Sequence, residues 1–218
     1  AHRARAASYE KVLDSYKEIN PSFKLLGLTA TPYRSDKKGL DKYFQTLLCS
    51  DDVPTLQKDG WLANFKVFYT PVPKIDEEVK ANNDDYQIQP LSEYMRKPEM
   101  LQFMVDSYKK EGNDRQMIVF CVDKKHAKAV QAKYIENGYD SIGHIDSDTT
   151  MSERESLLSQ FAKGNLKIIT CIETLTEGVD LPETGCIQLG RPTKSLILYL
   201  QMAGRGARPK ADGSVCII

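Results

Sequence analysis

The chain has 218 residues, with 30 Lys+Arg balanced by 30 Asp+Glu, 41% hydrophobic and 28% charged residues. This is the composition of an ordinary soluble globular protein with a buried core, in one large domain or two small ones. Zero net charge argues against nucleic-acid binding through a broad positive surface, though it leaves room for a local groove of backbone amides and a few cations.

No apolar run approaches the ~20 residues of a membrane span, and no signal-peptide pattern is present. The sequence opens on AHRARAAS without an initiator Met and closes on GSVCII within a strand pattern. Both ends read as those of a piece of a longer protein. SYEKVLDSYKEI has the spacing of an amphipathic helix. FKLLGLT reads as a buried strand running into TATPYR, with Pro32 and Gly39 marking the loop beyond. VPTLQKDGWL predicts a short helix and NFKVFYTPVP a strand closed by two prolines. KIDEEVKANNDDYQ, polar and poor in apolar residues, reads as an exposed linker or insertion. KPEMLQFMVDSYKK is a helix leading into a more regular region.

From Gln116 the pattern alternates. QMIVFCV is a strand, KKHAKAVQAKYIENG a helix ending at Gly138, and YDSIGHI a strand. SERESLLSQFAKG is a helix with Ser152 or Thr150 as N-cap. LKIITCI and GCIQLG are strands, SLILYLQMAG a helix, and SVCII a last strand. Such alternation predicts an α/β fold with a parallel sheet covered by helices on both faces, its ligands at the carboxyl ends of the strands. The five cysteines (49, 121, 171, 186 and 216) are dispersed and form no CxxC pair, as expected of core thiols in a reducing cytoplasm. Three scattered histidines offer no metal cluster, so no metal ligands are expected in this chain.

Three stretches carry candidate chemistry. After KIITCI the chain continues ETLTEGVDLP, where Gly178 permits close backbone approach and Thr174, Thr176 and Asp180 supply polar groups. A plain loop ending in a turn would also fit. In SLILYLQMAGRGARP, a helix continuing from Ser195 puts Gln201, Arg205 and Arg208 at i, i+4 and i+7 on one face, with Leu196, Leu200 and Ala203 facing the core. Gly204 and Gly206 remove bulk on either side of Arg205, and Pro209 ends the helix. Arginine, always charged and forked, suits a transferring phosphoryl group. The alternative is a frayed helix end with cations favourable to its dipole. In TATPYR, Thr29 and Thr31 follow a strand, which turn chemistry explains equally well.

Taken together, GLTATPYR, IVFCV, TLTEGVDLP and YLQMAGRGARP, in this order and at these separations, resemble the second half of a superfamily-two helicase motor. The likeness is to DEAD/DEAH-type, restriction-subunit-like DNA helicases and translocases; it covers nearly the whole chain, and RPTKS fits it too. It implies a RecA-like parallel sheet in residues 98–218, the tail of a first RecA-like domain in 1–50, and a connecting segment and polar linker in 51–97. On this resemblance Arg205 and Arg208 are arginine-finger positions with Gln201 beside them. Gly178 and Asp180 contact the nucleotide. Thr174, Cys121 and Val122 lie near the nucleic-acid backbone, while Thr29, Ala30 and Thr31 form the coupling box. Ala1 and His2 match the last two letters of a D-E-A-H box.

ATP and Mg²⁺ are the implied cofactors, both held mainly by an upstream RecA-like domain, because no G-x-x-x-x-G-K-[ST] occurs here. The implied partners are DNA, with RNA as the alternative, and that upstream domain. The fragment alone is expected to be inactive. One departure is Ser147 in HIDSD, where many relatives carry glycine. The rival readings are a nucleic-acid-binding or interaction module without ATP turnover, and an unrelated doubly wound nucleotide or flavin domain. The second predicts a G-x-G-x-x-G turn, which the sequence lacks.

Overall fold

The computed structural model describes residues 6–29, 40–69, 75–82, 85–172, 181, 183–210 and 212–218. They divide into two compact units, residues 1–51 and 52–218.

The first unit holds helix α1 (Ala7–Ile19), none of whose residues is buried. Tyr43 donates its hydroxyl to Asp14 at 3.0 Å, and Lys42 pairs with Glu10 and Asp14. The strand expected in FKLLGLT does not form. Residues 23–29 have no regular structure, and Leu26 and Leu28 are about four-fifths exposed (83% and 80%). A strand needs a neighbouring strand to build a ladder of amides and carbonyls, and no strand lies among the described residues of this unit.

The second unit runs α2 (Val53–Lys58), β1 (Phe65–Lys66), α3 (Ile75–Glu78), α4 (Ile88–Met95) and α5 (Pro98–Ser107). A wide helical turn, Tyr108–Gly112, leads to β2 (Met117–Phe120), α6 (Lys124–Glu136), β3 (Ile142–Ile145), α7 (Met151–Ala162) and β4 (Ile168–Cys171). Then come β5 (Cys186–Leu189), α8 (Leu196–Ala203), a tight 3-10 turn over Gly204–Ala207 and β6 (Cys216–Ile217). Among the described residues six strands form one sheet, in the order β1-β6-β5-β2-β4-β3 with every pairing parallel. After β1 at one edge, the chain enters the middle of the sheet at β2, reaches the other edge at β3, returns through β4 and crosses to β5 and β6. The order therefore reverses around β2, the kind of place where open α/β sheets bind ligands.

Local chemistry explains the helix starts. Asp52, Asp123 and Ser195 cap α2, α6 and α8 by accepting from the amides of Thr55, His126 and Leu198. Thr150 and Glu153 form a reciprocal capping box on α7. Pro98 opens α5, where the missing N–H costs nothing. Helix α6 stops at Asn137, followed by Gly138 at φ +88°.

Alternating side chains of β2 feed two cores. Met117 and Val119 pack with α4, α5 and α6, whereas Ile118 and Phe120 pack with Phe161 of α7 and Met202 of α8. Each fully buried side chain of this size contributes roughly 1.5–3 kcal/mol, so the central strand is held from both faces.

The segment expected to be an exposed linker is in part a structural element. Ile75 and Val79 are buried in the first core, Tyr86 packs against it, and Ala81 and Tyr86 make an antiparallel bridge. Two apolar residues at helical spacing sufficed to anchor it despite its charge.

Candidate functional site

The arginine-bearing segment departs from the continuous helix expected for it. Helix α8 ends at Ala203, the 3-10 turn follows, and Arg208 is extended at φ −76° and ψ 135°. The cause is Pro209, whose ring disfavours a helical residue immediately before it. Gln201, Arg205 and Arg208 therefore do not share one helical face, although all three are partly exposed.

The core-facing stripe also differs. Leu196 and Leu200 are 68% and 45% exposed, while Met202 is buried and Leu198 packs against the core. An eight-residue helix lying on a sheet buries one narrow stripe, and here Leu198, Met202 and Gly206 define it.

The two glycines beside Arg205 serve different ends. A Cβ on Gly206 would sit 2.6 Å from Cys216 Sγ and 3.1 Å from Ile187 Cγ1, so this glycine lets the turn lie on β5 and β6. A Cβ on Gly204 would meet nothing within 4 Å. Gly206→Ala is accordingly expected to cost about 1–3 kcal/mol of stability by overpacking. Gly204→Ala, in a helical backbone conformation, should leave stability unchanged or slightly raised. Urea unfolding of the two variants checks the contrast.

Ala207 O accepts from Ala63 N–H at 2.9 Å, just before β1. The arginine turn thus lies beside the amino ends of β1 and β6, and not at the carboxyl edge where ligands were expected. Helix α8 leaves the carboxyl end of β5 and runs back along the sheet, carrying the arginines to the opposite end.

At the carboxyl edge, Cys121 and Val122 follow β2 and are both buried. The Cys121 amide donates to Cys171 O at 2.8 Å and the Val122 amide to His126 Nδ1 at 3.1 Å. Burial pushes the Cys121 thiol well up, which keeps it protonated. The outward-facing groups here are Asp123 and the exposed Lys124.

Beside them, the loop after β3 is organised by Asp146. Its Oδ1 accepts from the amides of Asp148 and Thr149 at 2.8 and 3.2 Å, and its Oδ2 lies 3.2 Å from His144 Nε2 and 3.5 Å from Lys124 Nζ. Burial raises its proton affinity, but the Asp148 amide, His144 and Lys124 outweigh this and hold the carboxyl below its usual range. Lys124 also pairs with Asp148. Ser147 sits exposed at the tip, with its hydroxyl 3.3 Å from Asp148 Oδ1.

The resemblance named only Ser147 in this cluster. The alternation of acids in HIDSD, following a strand and preceding a capped helix, is the signal that could have pointed to the rest.

Of the other candidates, Thr29 is partly exposed in the first unit. His2, Ala30, Thr31, Thr174, Gly178 and Asp180 lie outside the described residues. Among the described residues no group of His, Cys, Asp and Glu has the arrangement of a metal site. The guanidinium groups of Arg205 and Arg208 are donors only, so they can meet the oxygens of an anion and offer nothing to a cation.

Residues 96–210 match the family of the helicase conserved C-terminal domain. The chain is 32% identical over 213 residues to the "Putative ATP-dependent helicase IRC3" of Saccharomyces cerevisiae, covering 95% of this chain and 31% of the relative. It is 32% identical over 113 residues to the type I restriction enzyme EcoKI endonuclease subunit of Escherichia coli, covering 47% of this chain and 10% of that protein. The chain therefore spans about a third of the yeast relative's length.

In architecture it is similar to a fragment of a "putative HsdR subunit" of a type I restriction enzyme from Vibrio vulnificus. The TM-score is 0.72 at 24% identity, covering 98% of this chain and 42% of that one. With the parallel sheet, the flanking helices and the matched span of residues 96–210 in view, the chain belongs to the helicase conserved C-terminal domain family of superfamily two, with a RecA-like fold.

Proposed function

We propose that residues 98–218 are the second RecA-like domain of an ATP-dependent nucleic-acid helicase or translocase, and that Arg205 and Arg208 are its contribution to the ATP site. Residues 1–50 are the tail of the first RecA-like domain and 51–97 connect the two. The observation that carries this reading is the tight turn after α8. It holds two partly exposed arginines next to a glycine with open space over its Cα, while the adjacent Gly206 locks the turn onto β5 and β6.

Guanidinium groups so placed stabilise charge on a transferring phosphoryl group, with Gln201 and the Gly178–Asp180 loop contributing further contacts to the nucleotide. The triphosphate cradle and the acids that hold Mg²⁺ belong to the first domain, with His2 at the end of its acidic box. Thr29, Ala30 and Thr31 couple the two domains. Closure on ATP and opening after hydrolysis shift a grip on the sugar-phosphate backbone. That grip comes from Thr174 and from the carboxyl edge near Cys121 and Val122, and it tolerates any base sequence.

DNA is the proposed track, following the likeness to restriction-subunit motors. Four buried free thiols, at Cys121, Cys171, Cys186 and Cys216, suit a reducing cytoplasm. No helix among the described residues is long and apolar enough to cross a membrane.

The test is ATP hydrolysis by the full-length protein alone, with single-stranded DNA and with RNA, beside the isolated 218-residue chain. Stimulation by DNA and silence of the isolated chain are expected. Robust hydrolysis by the isolated chain would contradict a site shared between domains, and full-length protein that binds nucleic acid without turnover would favour a plain binding module.

A further inference from the structure

The acidic stretch before α4 reaches across to the loop after β5, and Asp85 makes the connection. Its Oδ2 accepts from Thr193 Oγ1 at 2.8 Å, and its Oδ1 from the Lys194 amide at 2.8 Å. Lys194 extends the tie, with Nζ 2.8 Å from Asp76 Oδ1 and 4.9 Å from the Tyr86 ring centroid. The Tyr86 hydroxyl donates to the same Asp76 oxygen at 2.9 Å. Hydrogen bonds from Lys194 and Tyr86 hold the Asp76 carboxyl below its usual range. Three residues from 76–86 thus grip two consecutive residues of a loop about a hundred positions further along the chain.

The contact continues into α8. Thr193 Oγ1 has its single proton directed to Asp85, and its lone pair accepts the Ser195 amide at 3.0 Å. Ser195 is the N-cap of α8, accepting the Leu198 amide on Oγ at 3.3 Å. An unbroken run of hydrogen bonds therefore leads from Asp85 to the first turn of the helix whose far end bears Arg205 and Arg208. The outer pair is largely exposed, Asp76 at 69% and Lys194 at 47%, and exposed pairs add little to stability. What the cluster does supply is a fixed position for the loop. Helix α8 is only eight residues long and is locked to the core through Leu198 and Met202, so it moves as one body.

We propose that Asp85 is a positioning residue for the arginine turn. Through Thr193 and the Ser195 cap it sets where α8 begins, and hence where Arg205 and Arg208 are presented to the nucleotide. Asp76, Asp85 and Tyr86 are then part of the catalytic framework, and any movement of these residues relative to the sheet changes the arginines' aim. This rests on the reading of those arginines as phosphate ligands.

The test uses nucleic-acid-stimulated ATP hydrolysis by the full-length protein. The variants are Asp85→Ala, Thr193→Val and Thr193→Ser, with Asp85→Ala also combined with Thr193→Val and with Arg208→Ala. A misplacement of the order of 1 Å predicts a kcat loss of ~10–100-fold for Asp85→Ala and for Thr193→Val. KM for ATP should stay within about twofold, since the nucleotide is held mainly elsewhere. Thr193→Ser keeps the hydroxyl and should restore turnover. The Asp85→Ala/Thr193→Val pair should be no worse than either single variant, and Asp85→Ala should cost less once Arg208 is alanine, because only Arg205 is then left to misplace.

Normal kcat in Asp85→Ala and Thr193→Val, or an undiminished extra loss on the Arg208→Ala background, overturns the clamp while leaving the arginine assignment standing. Normal kcat in Arg208→Ala and Arg205→Ala overturns the arginine assignment and the clamp with it. If Asp85→Ala does not fold, the nearly isosteric Thr193→Val against Thr193→Ser decides the matter.

Discussion

Arg205→Ala and Arg208→Ala are each expected to lower ATP turnover of the full-length protein by about 10³-fold or more, the effect of removing an arginine finger from a phosphoryl-transfer site. The two reach their positions by different means. Arg205 sits within the 3-10 turn, whereas Arg208 is held extended by the proline after it. In both variants the turn keeps anchors that do not involve the two guanidinium groups: Gly206 against Ile187 and Cys216, the bond from Ala63 to Ala207 O, and Met202 in the core. The unfolding midpoint should therefore move little while kcat collapses. Lysine at either position is expected to rescue poorly, because an ammonium lacks the planar fork that binds two phosphate oxygens. Near-normal turnover in both alanine variants would remove the finger assignment.

The middle of the sheet was readable because β2 and β4 are buried on both faces, and a strand buried on both sides leaves few alternatives to a parallel sheet. MIVF and IITC appear as β2 and β4 with every residue buried. Helix starts were readable where a side chain does the capping, as in the Thr150–Glu153 box.

What escaped depends on partners that lie far away in the chain. FKLLGLT is rich in apolar residues, yet pairing is a property of two segments, and Leu26 and Leu28 stay exposed. KIDEEVKANNDDYQ is polar as a whole, but Ile75 and Val79 find a core that its own composition does not reveal. In the arginine segment the residue types were legible and the geometry was not. Spacing alone placed Arg208 on the helix, although the constraint that Pro209 puts on its predecessor was present in the sequence. That Gly206 serves the protein's own packing could not be foreseen, since it depends on Cys216 ten residues later.

Between pH 6.5 and 4 the second unit is expected to lose about 3 kcal/mol of stability through one residue, His126. The imidazole is fully buried at the start of α6, and its Nδ1 accepts the Val122 amide at 3.1 Å. Nε2 therefore carries the proton, and it has no hydrogen-bond partner among the described residues. Burial, outweighing the pull of Asp123 and assisted by Arg96, lowers the pKa from 6.5 to about 4.

The sign follows from proton binding. In that window the unfolded chain takes up a proton that the folded chain refuses, so acid favours unfolding. Above pH 6.5 neither state is protonated and the effect is absent; below about 4 both are, and the loss levels off. Carboxylates held down by hydrogen bonds, such as Asp146 and Glu153, lose their contribution as pH falls through the ordinary carboxylate range near about 4, so they act at the acid end of this window and below it.

His126→Asn isolates the effect, because an asparagine Oδ1 branches from Cγ as Nδ1 does and can accept the Val122 amide without titrating. The variant should be less stable at pH 7 for its lost ring volume, yet nearly flat from pH 6.5 to 4.5, where the parent protein declines. Urea midpoints at half-unit intervals read the difference, and parallel curves for the two proteins would show that the buried imidazole is not the acid-sensitive group.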